Sequence, residues 1–122
     1  MEAKELRVGN WIEKDGKKYQ ATTMTIFCCG NNHKPILLTE EWLVKFRFHL
    51  ADKGDKKRKC FHKEFQKDKI FEIWEENMSC RLWNGESDYK QHFDSLWLSP
   101  KYVHQLQNLY FTLTGEELEL GL

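Results

Sequence analysis

Seventeen aromatic side chains, five Trp, four Tyr and eight Phe, must be accommodated by a chain of 122 residues. Each ring that leaves water removes roughly 150–250 Å² of surface, so hiding them calls for broad apolar faces, such as a sheet covered by a helix. A chain of this length can bury one such core and not two, so residues 1–122 are expected to form a single domain. Seventeen rings exceed what that core readily hides. The surplus is expected at a pocket, a groove or a subunit interface, where aromatics are enriched.

Hydrophobic residues make up 40% of the chain and charged residues 31%, a globular balance rather than a disordered one. Nineteen basic residues match nineteen acidic ones. No long-range field therefore draws nucleic acid or anionic lipid, and either partner would have to meet a local patch. The opening Met1-Glu2-Ala3-Lys4-Glu5 lacks the apolar run of a signal peptide, and nothing approaches the ~20 apolar residues of a membrane span. A cytoplasmic location is expected, with no membrane partner. Cys28, Cys29, Cys60 and Cys80 are read as thiols, since two of them are adjacent and the compartment is reducing.

The hydrophobic pattern predicts α+β architecture. Leu6 to Glu13 reads as a first strand, with Leu6, Val8 and Asn10 on one side and Trp11 and Glu13 on the other. Asp15-Gly16-Lys17 closes a hairpin. Lys18 to Met24 forms the second strand, running on toward Cys29, and Pro35 to Leu38 returns to the body of the domain. Such short strands and tight turns suggest an SH3-like meander. Thr39 opens a short helix whose hydroxyl can cap it, with Trp42, Leu43 and Phe46 as its buried stripe and an end near Arg47 or Phe48. From Leu50 the chain turns polar through Lys59. A second antiparallel meander follows, with strands at Cys60–Phe65, Lys69–Glu75, Ser79–Trp83, Tyr89–Phe93 and Ser95–Leu98. Ser99-Pro100 starts a C-terminal helix that packs on a sheet, and Thr114-Gly115 stops it.

Motifs for catalysis do not emerge: there is no GxSxG, HExxH or GxxxxGK[ST], and no catalytic residue is assigned. The spacings Cys28-x4-His33 and Cys60-x-His62 fit no zinc finger, so neither a metal site nor a cofactor is expected. Two binding surfaces are. Rings and cations alternate over Trp74, Arg81, Trp83, Tyr89, Lys90, His92 and Trp97, offering faces for a base and charges for a phosphate. The basic run Lys53, Lys56, Lys57, Arg58, Lys59 and Lys63 would serve as an alternative, nucleic-acid-binding patch. On the C-terminal helix, Val103, Leu106, Tyr110 and Leu113 need one apolar surface, while Tyr102, Leu109 and Phe111 point elsewhere. With the neutral Gln105, Gln107 and Asn108 between them, they suit a symmetric interface. Tyr102, Gln105, Leu109 and Phe111 are its expected contacts, in a homodimer or higher oligomer.

The closing run from Tyr102 to Leu118, YVHQLQNLYFTLTGEEL, resembles the closing signature of a family of small uncharacterised proteins of bacteriophages and mobile elements of gut bacteria. Leu6 to Ile12 and Ile36 to Leu43 are similar to the same family, and the three stretches cover about a third of the chain. Arg47 departs from it, standing where the helix commonly ends at glycine. The resemblance implies a setting, the cytoplasm of a host cell, and a non-catalytic role. That role is an anti-defence factor that sequesters a nucleotide-type immune signal or binds a host protein; apart from it stand nucleic-acid binding through the basic run, as the alternative, and a small hydrolase, as the third reading. It carries no functional residues over.

Overall fold

The computed structural model describes residues 6–24, 26, 33–51, 59–67, 69–84 and 99–121, with only the backbone of residues 51, 83 and 84. Among these the chain is α+β. A hairpin of β1 (Trp11–Lys14) and β2 (Lys17–Gln20) precedes the short helix α1 (Glu40–Lys45). An antiparallel meander follows, of β3 (His49–Ala51), β4 (Cys60–Gln66), β5 (Lys69–Trp74) and β6 (Ser79–Asn84), before the closing helix α2 (Val103–Thr114). The expected strands at Tyr89–Phe93 and Ser95–Leu98 lie outside the described residues.

The hairpin turn forms as its residues require. Asp15 and Gly16 both take positive φ, 53° and 79°, the backbone that joins twisted strands through two residues. Its strands are shorter than the sequence suggests. Gly9, at φ 94°, breaks the alternation before Trp11, so Leu6 is buried while Val8 is exposed. Beyond Gln20 the chain does not extend to Met24: Thr23, Met24 and Ile26 are helical, and the Ile26 N–H donates to the Thr22 carbonyl at 3.1 Å. Burial of Ala21 beside Leu6 and Ile12 outweighs the strand preference of the threonines. The hairpin ladder runs on through Ala21, whose N–H donates to Asn10 O and whose carbonyl accepts from the Gly9 N–H, and a bridge joins Glu13 to Lys34; the described residues show no SH3-like barrel.

Helix α1 starts at Thr39 as expected, although the threonine hydroxyl makes no cap. Its C-terminus is more fully satisfied. The Phe48 N–H donates to Leu43 O and the Arg47 N–H to Val44 O, each at 3.0 Å, and the Gly121 N–H donates to Lys45 O at 2.7 Å. Lys63 Nζ donates to Phe46 O at 3.1 Å. Four carbonyls that a helix end leaves open thus each find a donor. The first two bonds define a Schellman turn, with Arg47 at φ 67° in the left-handed position usually taken by glycine.

Register fixes which side chains share a face of the meander. Phe61, Ile73 and Cys80 stand opposite one another, as do Lys63, Phe71 and Leu82, and this inner face receives α2. Val103, Leu106 and Tyr110 are buried there. The Tyr110 ring centroid lies 5.1 Å from that of Phe71, 6.3 Å from Phe65 and 6.5 Å from Phe48. The helix begins at Val103 and not at Ser99-Pro100, because residues 101–103 are needed as an extended partner for residues 36–38. Leu38 N–H donates to Lys101 O, and Val103 N–H to Ile36 O. Gln105 Oε1 then accepts from the Lys101 and Tyr102 N–H groups at 2.8 and 3.1 Å. Strand β3 was not expected: His49–Ala51 pairs with β4 as the sheet's outer strand.

Candidate functional site

The opposite, outer face of the meander mixes apolar Ile70 and Trp74 with polar groups, of which Cys60, Glu72 and Ser79 are buried. Side chains two apart on a strand share a face, so Cys60 and His62 on β4 lie on the same side. His62 pairs with Glu72 on β5, and Glu72 with Arg81 on β6; one row away, Cys60 pairs with Trp74, and Trp74 with Ser79. Three adjacent strands thereby gather a thiol, an imidazole, a carboxylate, an indole and a guanidinium.

Glu72 is the centre of this group and is fully buried. Its Oε1 accepts the Trp74 Nε1–H at 2.6 Å and lies 3.4 Å from Arg81 Nη2. Its Oε2 faces His62 Nε2 at 3.5 Å. Burial alone would push the carboxyl up in pKa. His62, the Arg81 charge and the Trp74 N–H outweigh it and hold Glu72 down at about 2. Cys60 Sγ, a ring nitrogen of His62 and a carboxylate oxygen of Glu72 all lie within 4.8 Å of one another.

Of the ring-and-cation set read from the sequence, Trp74 and Arg81 converge on this carboxylate. The Trp83 side chain, Tyr89, Lys90, His92 and Trp97 lie outside the described residues. Sequence reasoning missed Glu72 itself. The available signal was its position in Ile70-Phe71-Glu72-Ile73-Trp74, mid-strand among apolar residues, where a solvated charge is out of place.

From the basic run, Lys53, Lys56, Lys57 and Arg58 lie outside the described residues. The two described members have partners within the chain: Lys59 Nζ makes a surface ion pair with Glu40 at 3.0 Å, and Lys63 Nζ caps α1 through the Phe46 carbonyl. Burial and the nearby Arg47 charge lower the Lys63 pKa.

The expected interface residues divide in a similar way. Gln105 caps its own helix, and Leu109 packs against the core. The Tyr102 ring stacks on His104, with centroids 6.0 Å apart. Phe111, alone among the described rings, is exposed, and the Arg7 guanidinium covers it at 4.5 Å. Gln107 and Asn108, read as polar contacts for a partner subunit, instead bind the lead-in to β1. Asn108 Oδ1 accepts from Arg7 Nε at 2.8 Å and Asn10 Nδ2 at 2.9 Å.

No family model, curated protein or solved structure matches the chain. Among the described residues, no helix is long and apolar enough to cross a membrane.

Proposed function

We propose that the chain is a non-catalytic binding protein whose outer meander face takes a small anionic, ring-bearing molecule of the nucleotide type. One observation carries this reading: a single buried carboxylate, Glu72, holds an indole and a guanidinium in place on neighbouring strands. A ring fixed through its N–H and a cation fixed through an ion pair surrender little freedom when a ligand arrives. Together they supply a stacking face and an anion partner. The low pKa of Glu72 supports binding rather than catalysis, because a group that titrates at about 2 is a poor proton carrier near neutral pH.

In the phage setting that the sequence resemblance implies, such a surface would sequester a nucleotide-type immune signal. The test is mass spectrometry of what heat releases from the purified chain, followed by rebinding to the parent and to Arg81→Gln. An intact nucleotide, bound at least tenfold more weakly by the variant, supports the reading. A cleaved nucleotide, or equal binding by parent and variant, overturns it.

A further inference from the structure

We propose that Cys60, His62 and Glu72 form a site for one zinc-class divalent ion. The observation is their placement: two donors two residues apart on β4, and a third directly across on β5, put sulfur, nitrogen and oxygen on one face. No point of a finger-type spacing is needed, because the sheet and not the loop length sets the distances. With all three atoms within 4.8 Å of one another, some point lies no further than about 2.8 Å from each. Zinc takes Cys, His and carboxylate ligands at roughly 2.0–2.3 Å, so closure asks each donor to move by about 0.5–0.8 Å, within reach of small side-chain rotations.

The surroundings fit a bound ion. Cys60 and Glu72 are buried and His62 is partly so, which gives two enclosed ligands and one at the rim. Trp74 and Arg81 engage Oε1 of Glu72, leaving Oε2, on the His62 side, to meet the metal. An oriented carboxylate of this kind is what outer hydrogen bonds supply in metal sites. Sulfur with nitrogen and one oxygen selects zinc or a similar borderline ion over calcium or magnesium. Three protein ligands leave a fourth position for water or an anion. Binding displaces the Cys60 thiol proton to solvent, with no change of oxidation state. The site does not depend on the ligand reading above and stands whether or not a nucleotide binds.

Cobalt(II) titration of the full chain, stripped with chelator and kept reduced, tests the proposal. The expected result is one ion per chain, with a thiolate-to-cobalt charge-transfer band that zinc abolishes and a proton released per ion. Cys60→Ser should remove the band, and His62→Gln should weaken binding at least tenfold. A Cys28→Ser/Cys29→Ser double variant should keep the band. Circular dichroism establishes that each variant is folded; if Cys60→Ser is not, the partly exposed His62 decides. No band in the folded parent, or an unchanged band and affinity in His62→Gln, overturns the site.

Discussion

Gln107 of α2 accepts the backbone N–H of Trp11 at 2.8 Å through its side-chain Oε1, so a helix side chain serves β1 as a strand would. The other end of the same amide donates to the Gly9 carbonyl at 3.0 Å, and Gln107 is buried. Replacing it by Leu keeps the bulk but takes the acceptor from the Trp11 N–H, while the Gly9 carbonyl keeps the Gln20 Nε2 donor at 3.1 Å. Each buried backbone group left unsatisfied costs roughly 1–3 kcal/mol. Gln107→Leu should therefore lower stability by about 1–3 kcal/mol in urea denaturation. A loss below about 0.5 kcal/mol would show that the seam contributes nothing.

Arg47 occupies a left-handed backbone position that a Cβ disfavours. Glycine there removes the strain, typically worth roughly 1 kcal/mol, and offsets part of that with greater freedom in the unfolded chain. Arg47→Gly should raise stability by ~0.5 kcal/mol and bring the Lys63 pKa back up, since the Arg47 charge helps lower it. Thermal unfolding at neutral pH checks the sign, and a lower midpoint would count against the account.

Acid sensitivity should centre on Glu72. Folding lowers its pKa from 4.5 to about 2, so the unfolded chain takes up this proton first as pH falls. The resulting stabilisation, on the order of 3 kcal/mol, is complete above the unfolded pKa and is lost between about pH 5 and pH 2. In metal-free protein, Glu72→Gln should be less stable than the parent at pH 7 and should show a flatter acid limb. Urea midpoints measured from pH 2 to 7 would reveal parallel curves if Glu72 played no part.

Cys80 faces the inner core opposite Ile73, and burial pushes its thiol pKa well up. Thiolate is the reactive form, so iodoacetamide at pH 8 should leave the Cys80 peptide unmodified in the native chain and alkylate it in urea. Equal rates in the two states would contradict the packing.

Legibility in the sequence followed the range of the interactions. The Asp15-Gly16 hairpin, the Trp42-Leu43-Phe46 stripe and the strands β4 to β6 depend on neighbours in sequence, and period and turn chemistry revealed them. The early end of β2 was hidden because Ala21 is captured by Leu6 and Ile12, which propensity does not register. Strand β3 is three residues long and adjoins a polar run, too short to show a period. The start of α2 depends on residues 36–38 claiming residues 101–103. At the site, the single residue Glu72 gains its meaning only when register sets it between His62 and Arg81. For that reason Trp74 and Arg81 stood out in the sequence and the carboxylate they both contact did not.

The seam between the N-terminal lead-in and α2 also bears on the order of folding. Its side-chain bonds join residues 96 to 101 positions apart, whereas the meander pairs each strand with the next. Closing a loop that long forfeits more chain entropy than any strand pairing in the sheet, so contacts of this kind come late. The meander and the helix covering it would assemble first, and the polar clasp would lock afterwards. Damage to the clasp would then leave the rate of folding nearly unchanged and appear as faster unfolding, giving a protein that forms normally and does not last.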